Sequence, residues 1–310
     1  MSRDKTDLAL FGLLAAFWGG SFVAIKFVVR DFPPTFGAML RVGVALLVLW
    51  SVFRFEGRGL RAAPAQRRRM WLAGLFAQGI PFCLLFWGER RISPGLAGII
   101  NGTVPLWTFL LGLLAGSKET LSGRSLLGLA LGFLGIVSVF SPLLIFGGTQ
   151  DELLGAAAVL LMAVSYGVGA LMSRAELSGK TPADFRANVY HQHCASFVFL
   201  AAVSASAERW PSLSALAGAS KALLSVAYLG IFSTAAAFLI FYHLIRRWGA
   251  VRASAVTYVA PVMALFWDFV FFATVPRPSE ALGVSAILGG VILLHFKDPA
   301  SVRMGGQGGT

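Results

Sequence analysis

The chain has 310 residues, of which 57% are apolar and only 13% charged, and its mean hydropathy is +0.75. A water-soluble domain of this length could not carry that composition without exposing large apolar patches, so the chain belongs in a lipid bilayer. The formal charge of +12 would point a soluble protein toward nucleic acid. Here the arginines fall in short loops between apolar runs, which excludes that partner and makes them reporters of orientation.

A membrane span needs roughly 20 mostly apolar residues. By that measure ten are predicted, over 7–29, 35–53, 70–88, 95–116, 123–145, 153–173, 185–206, 221–245, 250–273 and 280–296. Breakers separate them, among them Pro33-Pro34, Pro64, Pro94-Gly95, Gly147-Gly148, Pro182, Pro211, Gly249 and Pro276 with Pro278. Cys83 and Cys194 both fall within spans, where they are expected as small buried side chains and not as a disulfide pair. The first run is long enough to span and has no clear cleavage site, so it reads as a helix and not as a signal peptide.

Lys and Arg are distributed unequally between the two sides. Beside the N-terminus lie Arg3, Lys5, Arg54, Arg58, Arg61, Arg67, Arg68, Arg69, Lys118, Arg124, Arg174, Lys180, Arg186, Arg246, Arg247, Arg252, Lys297 and Arg303. The other side has Arg30, Arg90, Arg91, Arg209, Lys221 and Arg277. Both termini are therefore predicted to be cytoplasmic.

The chain also repeats itself. Trp18-Gly19 in the first span aligns with Tyr166-Gly167 in the sixth at an offset of 148, and Pro34 aligns with Pro182. At an offset of 156, Arg90-Arg91 matches Arg246-Arg247, and Pro105 matches Pro261. The Gly128 to Gly135 spacing recurs as Gly283 to Gly290. Five spans per half force the second half to enter the membrane upside down. The fold class is thus an all-α polytopic membrane protein of ten transmembrane helices in two inverted five-helix repeats. Residues 1–146 make the first, 147–298 the second, and 299–310 a flexible cytoplasmic tail. Inverted repeats suit secondary transport, because two such halves can expose one midplane site to either side in turn.

The run Phe17-Trp18-Gly19-Gly20-Ser21-Phe22 followed by Lys26, the Ala97 to Pro105 run, Lys118-Glu119 before span five, and the glycines of spans five and ten resemble the drug/metabolite transporter superfamily. More narrowly the chain resembles the EamA-type ten-helix exporters, over residues 7–296, and among them the exporters of aromatic amino acids. In the second repeat the acidic residue expected before the last helix has no clear equivalent, since Val275-Pro276-Arg277-Pro278 stands there and Glu280 lies nearer the helix. The resemblance implies a bacterial inner membrane location, an amino acid as the solute, and no cofactor. A monomer in the bilayer is expected.

Several side chains are candidates for the solute path. Indole favours membrane interfaces, so the mid-span Trp18 needs a partner or a cavity, and Tyr166 stands in the matching place. Gln78, Asn101, Ser165 and Tyr258 bring polar groups near the midplane, where each must find a hydrogen-bond partner. Ser233 and Thr234 are expected to bond to their own helix. Gly19 and Gly167 are read as close-packing or pivot points, and Pro105 and Pro261 as helix breaks that free a carbonyl.

No Asp or Glu stands near the middle of a span; Glu89 and Asp268 are read at external ends. That favours a facilitator over proton coupling, which commonly needs a buried carboxylate. His191 and Asp268 are the candidates for coupling if it occurs. His191 and His193 lie two positions apart on different helix faces, so no metal site is expected. Lys26 and Arg41 can snorkel outward, or Arg41 can pair with Asp268. There is no Gly-x-x-x-x-Gly-Lys-Ser/Thr loop and no His-Glu-x-x-His motif, which removes ATP-driven transport and metalloprotease chemistry. The sequence reads as an exporter of aromatic and other neutral amino acids. The alternatives are a proton-coupled drug or metabolite exporter and, in another class, an intramembrane enzyme using a Ser-His pair.

Overall fold

The computed structural model describes residues 3–56, 60–116, 123–145, 148–178, 184–248 and 256–295, and every element among them is helical. Lys118-Glu119, Pro182, the tail after 298 and the side chain of Tyr258 lie outside the described residues. In the first half, α1 is Arg3–Asp31 and α2 Pro34–Phe55. The third segment runs as α3 (Pro64–Gly74), a π-helical stretch Leu75–Gly79 and α4 (Ile80–Glu89). The fourth is α5 (Pro94–Asn101) and α6 (Val104–Leu114), and the fifth α7 (Gly123–Ile145).

In the second half, α8 is Gln150–Ser178 and α9 Phe185–Ala207, followed by the short α10 (Leu213–Gly218). The eighth segment is α11 (Ser220–Gly230), a second π stretch Ile231–Ala236 and α12 (Ala237–Trp248). The ninth and tenth are α13 (Val256–Phe272) and α14 (Pro278–His295). Seven of the described helices are long and apolar enough to cross a membrane. α9 is not among them, because Arg186, His191, Gln192 and His193 dilute its first half.

Prolines open several of these helices at positions whose N–H would go unused, as at Pro34, Pro64 and Pro94, and the Ser93 hydroxyl accepts the Leu96 N–H to cap α5. Two segments predicted as single helices are interrupted. Pro81 cannot donate to its i−4 carbonyl, and the backbone before it widens into the π stretch. Pro105 does the same to the fourth segment, which breaks at Gly102-Thr103, and the Thr103 hydroxyl satisfies the Ile100 carbonyl. The eighth segment reaches its π geometry without a proline.

The two halves are related contact by contact. A Cβ on Gly19 would overlap Met263 and Ala264 of α13, and one on Gly167 would press on Trp107 and Thr108 of α6, residues 156 positions earlier. Gly135 packs on the Gly283 carbonyl, and Gly290 packs on that of Gly128, so α7 and α14 meet through their glycines. α2 and α9 also pair. Glu208 at the end of α9 accepts the N–H groups of Thr35 and Phe36, and Glu56 at the end of α2 accepts from Arg186, the second residue of α9. This pairing matches Glu56 at the end of α2 with Glu208 at the end of α9, an offset of 152.

The largest buried cluster holds Ile25, Val28, Phe86, Ile99, Met162, Leu200 and Leu229 from both halves. A smaller one near the N-terminal side gathers Leu14, Ala237, Leu244 and Val256. Leu47, Trp50, Leu134, Phe266 and Phe269 point outward, as side chains facing lipid tails do.

Candidate functional site

The two π stretches are repeat equivalents, and π insertions concentrate where a helix must present backbone or side chains abnormally. The first carries Gln78 and the second Ser233 and Thr234, with Gln78 and Thr234 156 positions apart. Gln78 is only 2% exposed, and its Oε1 has no hydrogen-bond partner. The Ser233 Oγ is also buried without one. Thr234 instead accepts the Nε–H of Arg41 at 2.9 Å, so neither hydroxyl makes the bond to its own helix that the sequence predicts. Beside them on α9, the Ser196 Oγ and the His193 Nε2 are buried and unpartnered, while His193 Nδ1 donates to the Val189 carbonyl.

Arg41 is at the centre of this region. It is 5% exposed and lies over the face of Phe82 at 4.2 Å, with Tyr166, Tyr228 and Glu89 within reach of its charge. It does not pair with Asp268, and it does not snorkel. The reason is position: Arg41 follows the first two turns of α2 into the packed middle, while Asp268 accepts the buried backbone N–H of Gly95, which has no partner within its own helix at the start of α5. Tyr166 packs edge-on against Phe82, with ring centres 6.5 Å apart, and the Tyr228 hydroxyl donates to the Phe17 carbonyl.

Toward the side opposite the N-terminus lies a second polar group. Lys26 donates to the carbonyls of Glu89 and Ile92, both at 2.7 Å, and so caps the end of α4. Glu89 is fully buried, with neither carboxylate oxygen hydrogen-bonded, and Asp268 is 1% exposed with Oδ1 unpartnered. The sequence places both carboxylates at external ends. The structure buries them, because α5 packs on α13 at Asp268 and α8 packs on α4 at Gly88, beside Glu89. Gly95, Gly98 and Gly102 of the fourth segment face Asp268, Ala264 and Pro261 of α13, and Cβ atoms would collide with the first two and press tightly on the third. The second half of the fourth segment turns away, and α6 packs on Gly167 of α8. Thus the fourth and ninth segments are zipped together on the far side.

The other predicted site residues divide between these regions and the N-terminal side. Ser165 donates to the Phe76 carbonyl, tying α8 to the first π stretch. Asn101 is half-buried at the end of α5, just before the break. Trp18 is half-buried against Phe241, 5.3 Å between ring centres, in the smaller cluster, so the structure does not bring it beside Tyr166. His191 donates to the Leu60 carbonyl and lines a cavity of about 560 Å³ with Pro64, Arg67, Arg68, Trp71, Tyr190 and Cys194. That is the basic rim of the N-terminal side, away from both carboxylates. Among the described residues no group of His, Cys, Asp or Glu could hold a metal ion.

Two residues matter more here than the sequence pattern implies. Arg41 is a lone cation seven positions into an apolar helix, and Glu89 is the last residue before a loop. A signal for Glu89 existed in the adjacent Gly88, where α8 comes close through Gly155 and Val159.

This arrangement matches known proteins along its whole length. The profile of the EamA-like transporter family matches residues 8–141 and 153–296, one match per half. An uncharacterised transporter of Archaeoglobus fulgidus is 25% identical over 93% of this chain and 98% of its own. The uncharacterised inner membrane transporter YedA of Escherichia coli K12 is 28% identical over 85% of this chain and 83% of its own. The uncharacterised transporter YoaV of Bacillus subtilis is 22% identical over 89% and 90%. A solved crystal structure superposes with a TM-score of 0.64 at 19% identity, covering 98% of this chain and 99% of that one, a likeness of fold. The matched profile, one copy in each half, identifies the chain as a multi-pass membrane transporter, not an enzyme, and it belongs to the EamA-like transporter family.

Proposed function

We propose that this transporter exports amino acids, aromatic and other neutral ones, across the bacterial inner membrane by alternating access, with both termini in the cytoplasm, and that it works as a facilitator. The observation that carries this reading is the one-sided zipper of Gly95, Gly98 and Gly102 on α13. It closes the far side over a cluster of aromatic and unpartnered polar groups drawn from both halves, and halves of opposite topology can exchange conformations to close the other side in turn. Phe82, Tyr166 and Tyr228 offer ring faces to an apolar side chain, and Gln78, Ser196 and Ser233 offer buried hydrogen-bonding atoms to a polar head. Uptake of labelled phenylalanine into proteoliposomes tests it. Saturable flux down the amino acid gradient, indifferent to an imposed pH gradient, is the expected result. Flux of an organic cation alone would overturn it.

A second reading, export coupled to protons, is favoured by Glu89. A buried carboxylate without a hydrogen-bond donor is a natural proton carrier, and the premise that no such group exists within the spans does not hold. Under this reading a pH gradient accelerates flux in the native protein and not in Glu89→Gln.

A further inference from the structure

We infer that Arg41 anchors a carboxylate of the transported solute, which restricts the substrates to carboxylate-bearing molecules; the inference rests on the amino acid reading above and narrows it. A guanidinium cannot shed its charge in a protein, and leaving it buried without an anion is strongly unfavourable. Arg41 is 5% exposed, yet among the described residues no carboxylate forms an ion pair with it. Asp268 is engaged by the Gly95 N–H. Glu89 is near enough to feel the Arg41 charge, but it sits beside Lys26, whose ammonium holds the Glu89 and Ile92 carbonyls.

The remaining geometry is that of a prepared fork. Thr234 fixes the Nε edge at 2.9 Å, and the face of Phe82 supports the plane at 4.2 Å. This leaves the paired Nη groups to meet a carboxylate in the bidentate manner that arginine favours. The rings of Tyr166 and Tyr228 stand close by, positioned to flank an apolar side chain. The groups around this guanidinium come from α2 and α4 in the first half and from α8, α11 and the second π stretch in the other. A bound anion would therefore touch both moving parts. An arginine placed only to pack or to cap would need neither the stacked ring nor the threonine.

The test uses the full chain in proteoliposomes, with labelled phenylalanine as the solute. Phenylpropionate keeps the carboxylate and lacks the amine; phenethylamine is the reverse. We expect phenylpropionate to compete and phenethylamine not to. We expect Arg41→Gln to raise the apparent KM for phenylalanine about tenfold or more, as loss of a charged hydrogen bond does, and Arg41→Lys to recover part of it. Equal competition by phenethylamine in the native protein overturns the inference without any variant. So does a monodisperse Arg41→Gln protein with an unchanged KM, or a native protein that carries neither carboxylate probe. Flux of phenylpropionate without flux of any amino acid, lost in Arg41→Gln, would retire the amino acid reading and keep the role of Arg41.

Discussion

Glu208 and Glu56 hold the start of each other's helix, but by different means. Glu208 accepts two backbone N–H groups, from Thr35 and Phe36, at 2.8 Å each, while Glu56 meets the side chain of Arg186 in a partly exposed ion pair. A capped helix N-terminus loses about 1 kcal/mol when the cap is removed, and an exposed ion pair contributes about 0.2–1 kcal/mol. Glu208→Ala should therefore lower the unfolding temperature in detergent more than Glu56→Ala does. Equal shifts would mean that the cap is not what fastens α2.

The far-side zipper depends on the absence of side chains. A Cβ at Gly98 would overlap the Ala264 side chain, so Gly98→Val must part α5 from α13, at a cost of about 1–3 kcal/mol to the closed arrangement. Ala97 is fully buried in α5. With Cys83 and Cys194 replaced, Ala97→Cys should resist an impermeant thiol reagent added from the far side and should react once Gly98→Val is present. No gain in reactivity would contradict the role given to these glycines.

How much of this is written in the sequence varies with the physical cause. Hydropathy and proline placement predict most segments to within a few residues, because lipid demands long apolar helices and proline is best tolerated in a helix's first turn. The third segment, however, starts at Pro64 and not at 70, and α13 runs on through Pro261, which the sequence reads as a break. The match of Gly128 and Gly135 with Gly283 and Gly290, and of Gly19 with Gly167, is visible as spacing, since close helix packing needs small residues in register. What stays hidden are consequences of which helix covers which. Arg41 and Glu89 resemble ordinary end-of-span charges until α8, α9, α11 and the second π stretch are packed over them. Trp18 and Tyr166 match in the repeat, yet inverted symmetry sends them toward different parts of the bundle.

His191 tests that last point from the other direction. It bonds to the Leu60 carbonyl on the N-terminal rim. His191→Ala should leave phenylalanine flux within about fivefold of the native value, since a single hydrogen bond near the surface is worth about 1 kcal/mol. A loss of pH response in this variant would restore it as a coupling residue.

Trp18 fills the space between α1 and α12 against Phe241. Its truncation removes an aromatic pair of a half-buried side chain, worth about 0.5–1.5 kcal/mol beyond the area it buries. Trp18→Ala should insert into the membrane normally but transport poorly. Native rates in proteoliposomes would remove Trp18 from the solute path.

Phenylalanine flux in proteoliposomes, measured with and without an imposed pH gradient, for the native protein and for Glu89→Gln, tests the central claim most directly. Saturable flux that follows the amino acid gradient and is the same in all four conditions is the predicted result. Flux that requires the pH gradient and disappears in Glu89→Gln would contradict the facilitator reading and make Glu89 the proton carrier.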